Sequence, residues 1–225
     1  MNYTEEFIFD GYKAIVIRPE NPNGKCIWET EFLYAFDQAE CVLLEKGYTR
    51  VYYRISDKYG SYNAVRLMRG FYRFVVDKYN LDKQCTLFGF SRGGLYAFNF
   101  ALFYPEYVRN IYLDAPVLDM KSWPPKGSTE QAQLFYEYGL NAKTLSQFRG
   151  NPIDNMEEFF AQNIPLLIIA GEMDEAVAFK ENAGKMIEYC KINSKKIISI
   201  VKPNCKHHPH SLEDVTPIVN FVEGV

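Results

Sequence analysis

One serine in this chain has neighbours that suit a nucleophile. The run Leu87-Phe88-Gly89-Phe90-Ser91-Arg92-Gly93-Gly94 sets Ser91 between glycines, where the apolar run Gln84 to Phe88 meets a helix-forming run, Leu95 to Leu102, closed by Pro105. A Gly-x-Ser-x-Gly turn between strand and helix forces the serine into a strained backbone conformation that Gly89 and Gly93 tolerate, and it exposes Oγ at the edge of the sheet. The bare motif also occurs in loops that merely turn, so the strand before it and the helix after it are what make Ser91 a candidate. A serine hydroxyl is a poor nucleophile at neutral pH. Acyl transfer therefore demands a base, and the base a carboxylate to orient it.

Both residue types follow in order. Pro165 to Gly171 reads as a buried strand, and the loop Glu172 to Val177 after it offers Asp174 as the acid. Asp174 also suits the N-cap of a helix beginning near Ala176. Asp114, in Leu113-Asp114-Ala115-Pro116, and Asp119 are rivals one strand earlier. A further strand, Lys196 to Val201, precedes the loop that holds all three histidines, His207, His208 and His210. Three imidazoles can also bind a metal. However, there is no His-Glu-x-x-His pattern and no zinc-type spacing of cysteine and histidine, so neither a metal nor a cofactor is expected. The order serine, aspartate, histidine is the one that α/β-hydrolases use.

On these residues the chain resembles the α/β-hydrolase superfamily, close to its compact serine esterase, dienelactone-hydrolase and prolyl-peptidase-like branches, over nearly its whole length. Gly89-Phe90-Ser91-Arg92-Gly93 matches the elbow, Gly171-Glu172-Met173-Asp174 the acid loop, and His207 with Leu212-Glu213-Asp214 the histidine loop. Lys206 and Val215 replace a glycine and a proline that family members often carry there. The alignment favours His207 as the base, with His208 next, and leaves His210 as a surface or capping residue. The resemblance implies a Ser91-His207-Asp174 triad that cleaves a small-molecule carboxylic ester through an acyl-enzyme. The Arg92 backbone N–H would be one oxyanion donor, and Glu29, after the third strand, the other. Peptidase or acyltransferase use of the same triad, or binding without turnover, are the alternatives.

These residues need a sheet to carry them. Phe7 to Phe9 and Tyr12 to Ile17 around Asp10-Gly11 read as a hairpin, Lys25 to Trp28 as a third strand, Arg50 to Ile55 as a fourth and Val108 to Leu113 as a later one. Helices are expected over Glu31 to Lys46, Tyr62 to Tyr79, Ala176 to Lys191 and Thr216 to Val222. Alternation of this kind gives an α/β fold of about eight strands, mostly parallel and covered on both faces. The chain reads as one domain over residues 1–225, with a small lid expected at 116–164 because that connection is far longer than a loop. In the lid, Gln131 to Gly139 can form a short helix, Trp123 and Phe135 are candidates for the pocket entrance, and Asp154 reads as a turn residue. Asp57 and Tyr59, after the fourth strand, stand at the sheet end where open α/β folds bind ligands and could contact a polar substrate. Arg92's side chain could bind an anionic group or brace neighbouring loops.

Composition narrows the partners. A net charge of −3 argues against a nucleic-acid footprint. No apolar run is long enough to span a membrane, and the N-terminus lacks the features of a secretory signal, so a cytoplasmic protein is expected. The five cysteines show no paired spacing and are expected to be free thiols, Cys85 in the core and Cys205 beside the histidine loop.

Overall fold

The computed structural model describes residues 2–224. Eight strands form one sheet: β1 (Tyr3–Phe9), β2 (Tyr12–Arg18), β3 (Cys26–Glu29), β4 (Thr49–Tyr53), β5 (Cys85–Phe90), β6 (Val108–Asp114), β7 (Leu166–Gly171) and β8 (Ile198–Lys202). Their spatial order is β1-β2-β4-β3-β5-β6-β7-β8. β1 and β2 run antiparallel at one edge, and every pair from β4 to β8 is parallel. Asp10 and Gly11 both take positive φ in the two-residue turn that pairs Phe9 with Tyr12, the geometry that matches the twist of a hairpin.

The helices are α1 (Gln38–Glu45), α2 (Tyr62–Tyr79), α3 (Gly93–Phe103), α4 (Thr129–Tyr138), α5 (Ala142–Leu145), α6 (Met156–Ala161), α7 (Ala183–Ile192) and α8 (Thr216–Glu223). The alternation of strand side chains sorts them into two layers. Trp28, Leu87, Leu113 and Ile168 point to the face that packs with α2, α3 and α7. Ile27, Phe88, Tyr112 and Leu167 point to the face covered by α1 and α8. Because both faces are buried, the central strands read as continuous apolar runs. Between β6 and β7, α4 to α6 form the long connection, and Leu134 of α4 packs with Leu95, Val117 and Met120.

Two expected helices are shorter than the sequence pattern suggests. Residues 31–37 are loop, with Phe32, Tyr34 and Phe36 all at positive φ, and helix begins only at Gln38. The apolar spacing there serves a loop that folds over the sheet edge. The helix expected from Ala176 begins at Ala183, after a 3₁₀ turn at Phe179–Glu181. The cysteines are free thiols, with Cys85 buried. No helix among the described residues is long and apolar enough to cross a membrane.

A charge cluster lies beneath the 31–37 loop. Arg50 of β4 is buried and donates to Glu29 of β3 through Nε, and through Nη1 to Asp37 at 2.8 Å. Glu40 of α1 is fully buried close by, and neither carboxylate oxygen has a hydrogen-bond partner among the described residues. Burial raises the Glu29 carboxyl to about 7 against the pull of Arg50. Burial and the neighbouring Glu29 charge push Glu40 well above the ordinary carboxylate range. An acid whose pKa is raised by folding stabilises the fold fully below its ordinary pKa, and that contribution is lost as pH rises through the raised value. Stability should therefore fall from about pH 5 through pH 7 and beyond. Glu40→Gln removes the buried acid, so its melting temperature should exceed the parent's by several degrees at pH 8 and match it within about a degree at pH 5. Equal melting temperatures for the two proteins at pH 8 would contradict this.

Candidate active site

Ser91 sits between β5 and α3 at φ 48°, in the left-handed region. Three main-chain hydrogen bonds hold it there: its N–H donates to Asp114 O at 2.9 Å, and its carbonyl accepts from Gly94 at 3.0 Å and Val117 at 2.8 Å. Gly93 lets the turn approach β3, since a Cβ there would lie 2.9 Å from Thr30 Oγ1.

The acid and base arrive on the loops after β7 and β8. His207 Nε2 lies 3.1 Å from Ser91 Oγ, and His207 Nδ1 lies 2.7 Å from Asp174 Oδ2. The other oxygen of Asp174 accepts the Val177 N–H at 3.0 Å, so one carboxylate both caps its own turn and holds the imidazole. The two loops are stitched together by Glu172 N–H to Lys202 O at 3.0 Å and Met173 N–H to Cys205 O at 2.8 Å. Gly171 makes that approach possible, because a Cβ there would overlap the carbonyl oxygens of Cys205 and Lys206. Of the four acids considered from sequence, Asp174 alone bonds His207. Asp119 pairs with Lys185, and Asp154 accepts from Asn151 within a turn.

The other two histidines differ from each other. His208 is exposed and stacks on Phe36, with ring centroids 5.7 Å apart. Partial burial, then the neighbouring imidazoles His210 and His207, lower its pKa, which favours the neutral ring. His210, expected at the surface, is buried instead, with Nδ1 2.8 Å from Asp114 Oδ1. The carboxylate of Asp114 drew it in. The three imidazoles offer nitrogens that lie within 4.8 Å of one another. Two zinc-bound nitrogens can be at most about 4.2 Å apart, and both nitrogens of His207 are already engaged, so this arrangement does not fit a metal as it stands.

On the oxyanion side, the Arg92 N–H has no acceptor among the described residues. Glu29 does not supply the second donor. It lies inside the ladder between β4 and β5, and its side chain is buried against Arg50. The Thr30 N–H is spent on Phe88 O at 3.0 Å, so the first unengaged N–H groups after β3 are those of Glu31 and Phe32. The positive φ of Phe32, 61°, was not legible from its residue type. Arg92's side chain braces the loop: its Nε and Nη2 donate to Glu31 Oε2 at 3.2 and 3.1 Å, and its guanidinium lies 5.1 Å over the Phe32 ring.

The expected substrate contacts after β4 are otherwise occupied. Tyr59 is fully buried, its hydroxyl donating to Gln133 at 2.7 Å, and Asp57 pairs with Lys58 at 3.1 Å beside α4. Ser61 and Lys58 both bond Glu137, so this loop anchors α4 to the sheet. Trp123 packs near Tyr59, with ring centroids 6.2 Å apart, in the cluster that includes Val177.

The sheet order, the left-handed serine at the β5–α3 turn and the chain Asp174–His207–Ser91 define an α/β-hydrolase fold that carries a serine–histidine–aspartate arrangement. Residues 45–223 match the prolyl oligopeptidase family, and the chain belongs to it. No curated protein sequence matches the chain. Among solved structures, it is similar to a puromycin-hydrolyzing peptidase of Mycobacterium tuberculosis, with 12% identity and a TM-score of 0.72 over 99% of this chain and 38% of the peptidase. An acylaminoacyl peptidase of Pyrococcus horikoshii gives 15% identity and a TM-score of 0.65 over 92% of this chain and 37% of its own. FphF, a fluorophosphonate-binding serine hydrolase of Staphylococcus aureus, gives 13% identity and a TM-score of 0.70 over 92% of both chains. The chain thus spans less than two fifths of the length of these two peptidases.

His207→Ala should lower turnover of an activated ester by at least about a thousandfold, whereas His208→Ala should stay within about threefold of the parent. Loss of activity in His208→Ala alone would move the base to His208.

Proposed function

We propose that this protein is a serine hydrolase that cleaves the carboxylic ester of a small-molecule substrate through an acyl-enzyme. The observation that carries this reading is the unbroken hydrogen-bonded line from Asp174 through His207 to Ser91 Oγ. Asp174 accepts the Nδ1–H of His207 and so fixes the tautomer whose Nε2 can take the serine proton. Ser91 Oγ then attacks the acyl carbon. The tetrahedral oxyanion falls to the N–H of Arg92 and, in place of Glu29, to the N–H of Phe32 or Glu31. His207 returns the proton to the leaving alkoxide, and a water molecule repeats the sequence to release the acid.

The carboxylates nearest the elbow argue against one kind of peptide substrate, one held by its free amino terminus. A peptidase that reads a free amino terminus needs an unpaired acid beside the nucleophile. Here Glu31 is held by Arg92, and Asp114 accepts from His210, Ser211 and Tyr112. The segment from α4 to α6, with Trp123 before it, would act as the lid over this site.

Paired substrates test the proposal. An acetyl ester and a dipeptidyl anilide with the same aryl leaving-group family should differ in kcat/KM by at least about a hundredfold in favour of the ester, with an initial burst of the aryl alcohol. A higher kcat/KM for the anilide would assign the site to peptides. No turnover of either by folded protein would favour a binding role.

A further inference from the structure

We propose that Asp114 and His210 form a second aspartate–histidine pair that positions the nucleophile and the base relative to one another; this rests on the serine-hydrolase reading above. Asp114 ends β6 and is 1% exposed, and His210 is 6% exposed. The main-chain oxygen of Asp114 accepts the Ser91 N–H at 2.9 Å, so it helps hold the nucleophile's left-handed backbone. Its carboxylate meanwhile grips the loop that carries the base. Oδ1 accepts His210 Nδ1–H at 2.8 Å, and Oδ2 accepts Ser211 N–H at 2.8 Å together with the Tyr112 hydroxyl. Three donors from two segments thus converge on one buried carboxylate.

The imidazole of His210 transmits that grip. One face lies parallel to Phe90, the residue before the nucleophile, with centroids 5.6 Å apart and an interplanar angle of 8°. It meets the His207 ring edge to face at 4.9 Å and 79°. His210 is therefore wedged between the elbow strand and the ring that must reach Ser91 Oγ. Lys202 of β8 fixes the same turn from outside, donating to Pro209 O and, at 3.1 Å, to Ser211 O. Ser91 and His207 are 116 residues apart in the chain, and Asp114 touches the supports of both. Losing its carboxylate should alter their relative placement while leaving the substrate cleft intact. A misplacement of about 1 Å in reacting groups costs on the order of a hundredfold in rate.

The test compares His210→Leu, His210→Asn and Asp114→Asn with the parent in reaction with a fluorophosphonate. It reads the second-order rate constant, the final fraction labelled, the melting temperature, and kcat and KM on an acetyl ester. Asparagine places an amide N–H where His210 Nδ1 stands, so it can still donate to Asp114. The positioning role predicts full labelling with a rate constant about ten- to a hundredfold lower in His210→Leu and Asp114→Asn, a smaller loss in His210→Asn, which keeps the hydrogen bond but not the ring, and a loss in kcat with KM unchanged. A purely structural role would lower the labelled fraction in step with the folded fraction and leave the rate constant at the parental value; that result overturns the proposal. If His210→Leu does not fold, the ratio of Asp114→Asn to His210→Asn decides it. A parent that is not labelled at all overturns the hydrolase reading itself, a different failure from equal rates in labelled parent and variants.

Discussion

The left-handed backbone of Ser91 is the constraint on which the rest of the site depends. A non-glycine residue at φ 48° is disfavoured by roughly 1–2 kcal/mol, so the conformation persists only where the surroundings enforce it. Here the enforcement comes from the main chain of neighbouring elements: β6 takes the serine N–H, and the segment after β6 and the first turn of α3 donate to its carbonyl. β5 and β6 must be adjacent and parallel for this to happen, and Gly93 must be bare for the turn to lie against Thr30. The sheet order thus reaches the reactive oxygen through backbone hydrogen bonds.

The same economy of contacts governs the loops at the carboxyl edge of the sheet. Arg92 is spent on Glu31, Arg50 on Glu29 and Asp37, Tyr59 on Gln133, and Asp114 on the histidine turn. Most charged side chains near the nucleophile therefore position something else, while the chemistry proposed here falls to one hydroxyl, one imidazole and backbone N–H groups. Such a site depends on geometry more than on net charge. The buried Glu40 stands apart from it, as an acid placed where folding favours the protonated form.

Much of this was legible in the sequence because it rests on short-range patterns. The apolar runs of β5 and β7, the Gly-Ser-Gly turn, and the order serine, aspartate, histidine are local signals, and they located Ser91, Asp174 and His207. What escaped depends on contacts between distant segments. The 31–37 stretch has helical spacing, yet its side chains are held by Arg50 of β4 and Arg92 of the elbow turn. Nothing near Glu29 in the sequence shows that the side chain of Arg50, from the adjacent strand β4, reaches it. His210 reads as a surface residue in the sequence because its partner is 96 residues away. An arginine inside the Tyr- and Val-rich β4 and an aspartate closing the apolar β6 were the available hints that buried partners existed.

That Ser91 is an activated nucleophile is the central claim. Its most direct test is to treat the intact protein with a fluorophosphonate and locate the adduct by mass spectrometry, with Ser91→Ala alongside. The geometry predicts one adduct per chain, on the peptide containing Ser91, absent from Ser91→Ala and nearly absent from Asp174→Ala. A folded protein that stays unmodified, or one labelled equally well after Ser91→Ala, would contradict it.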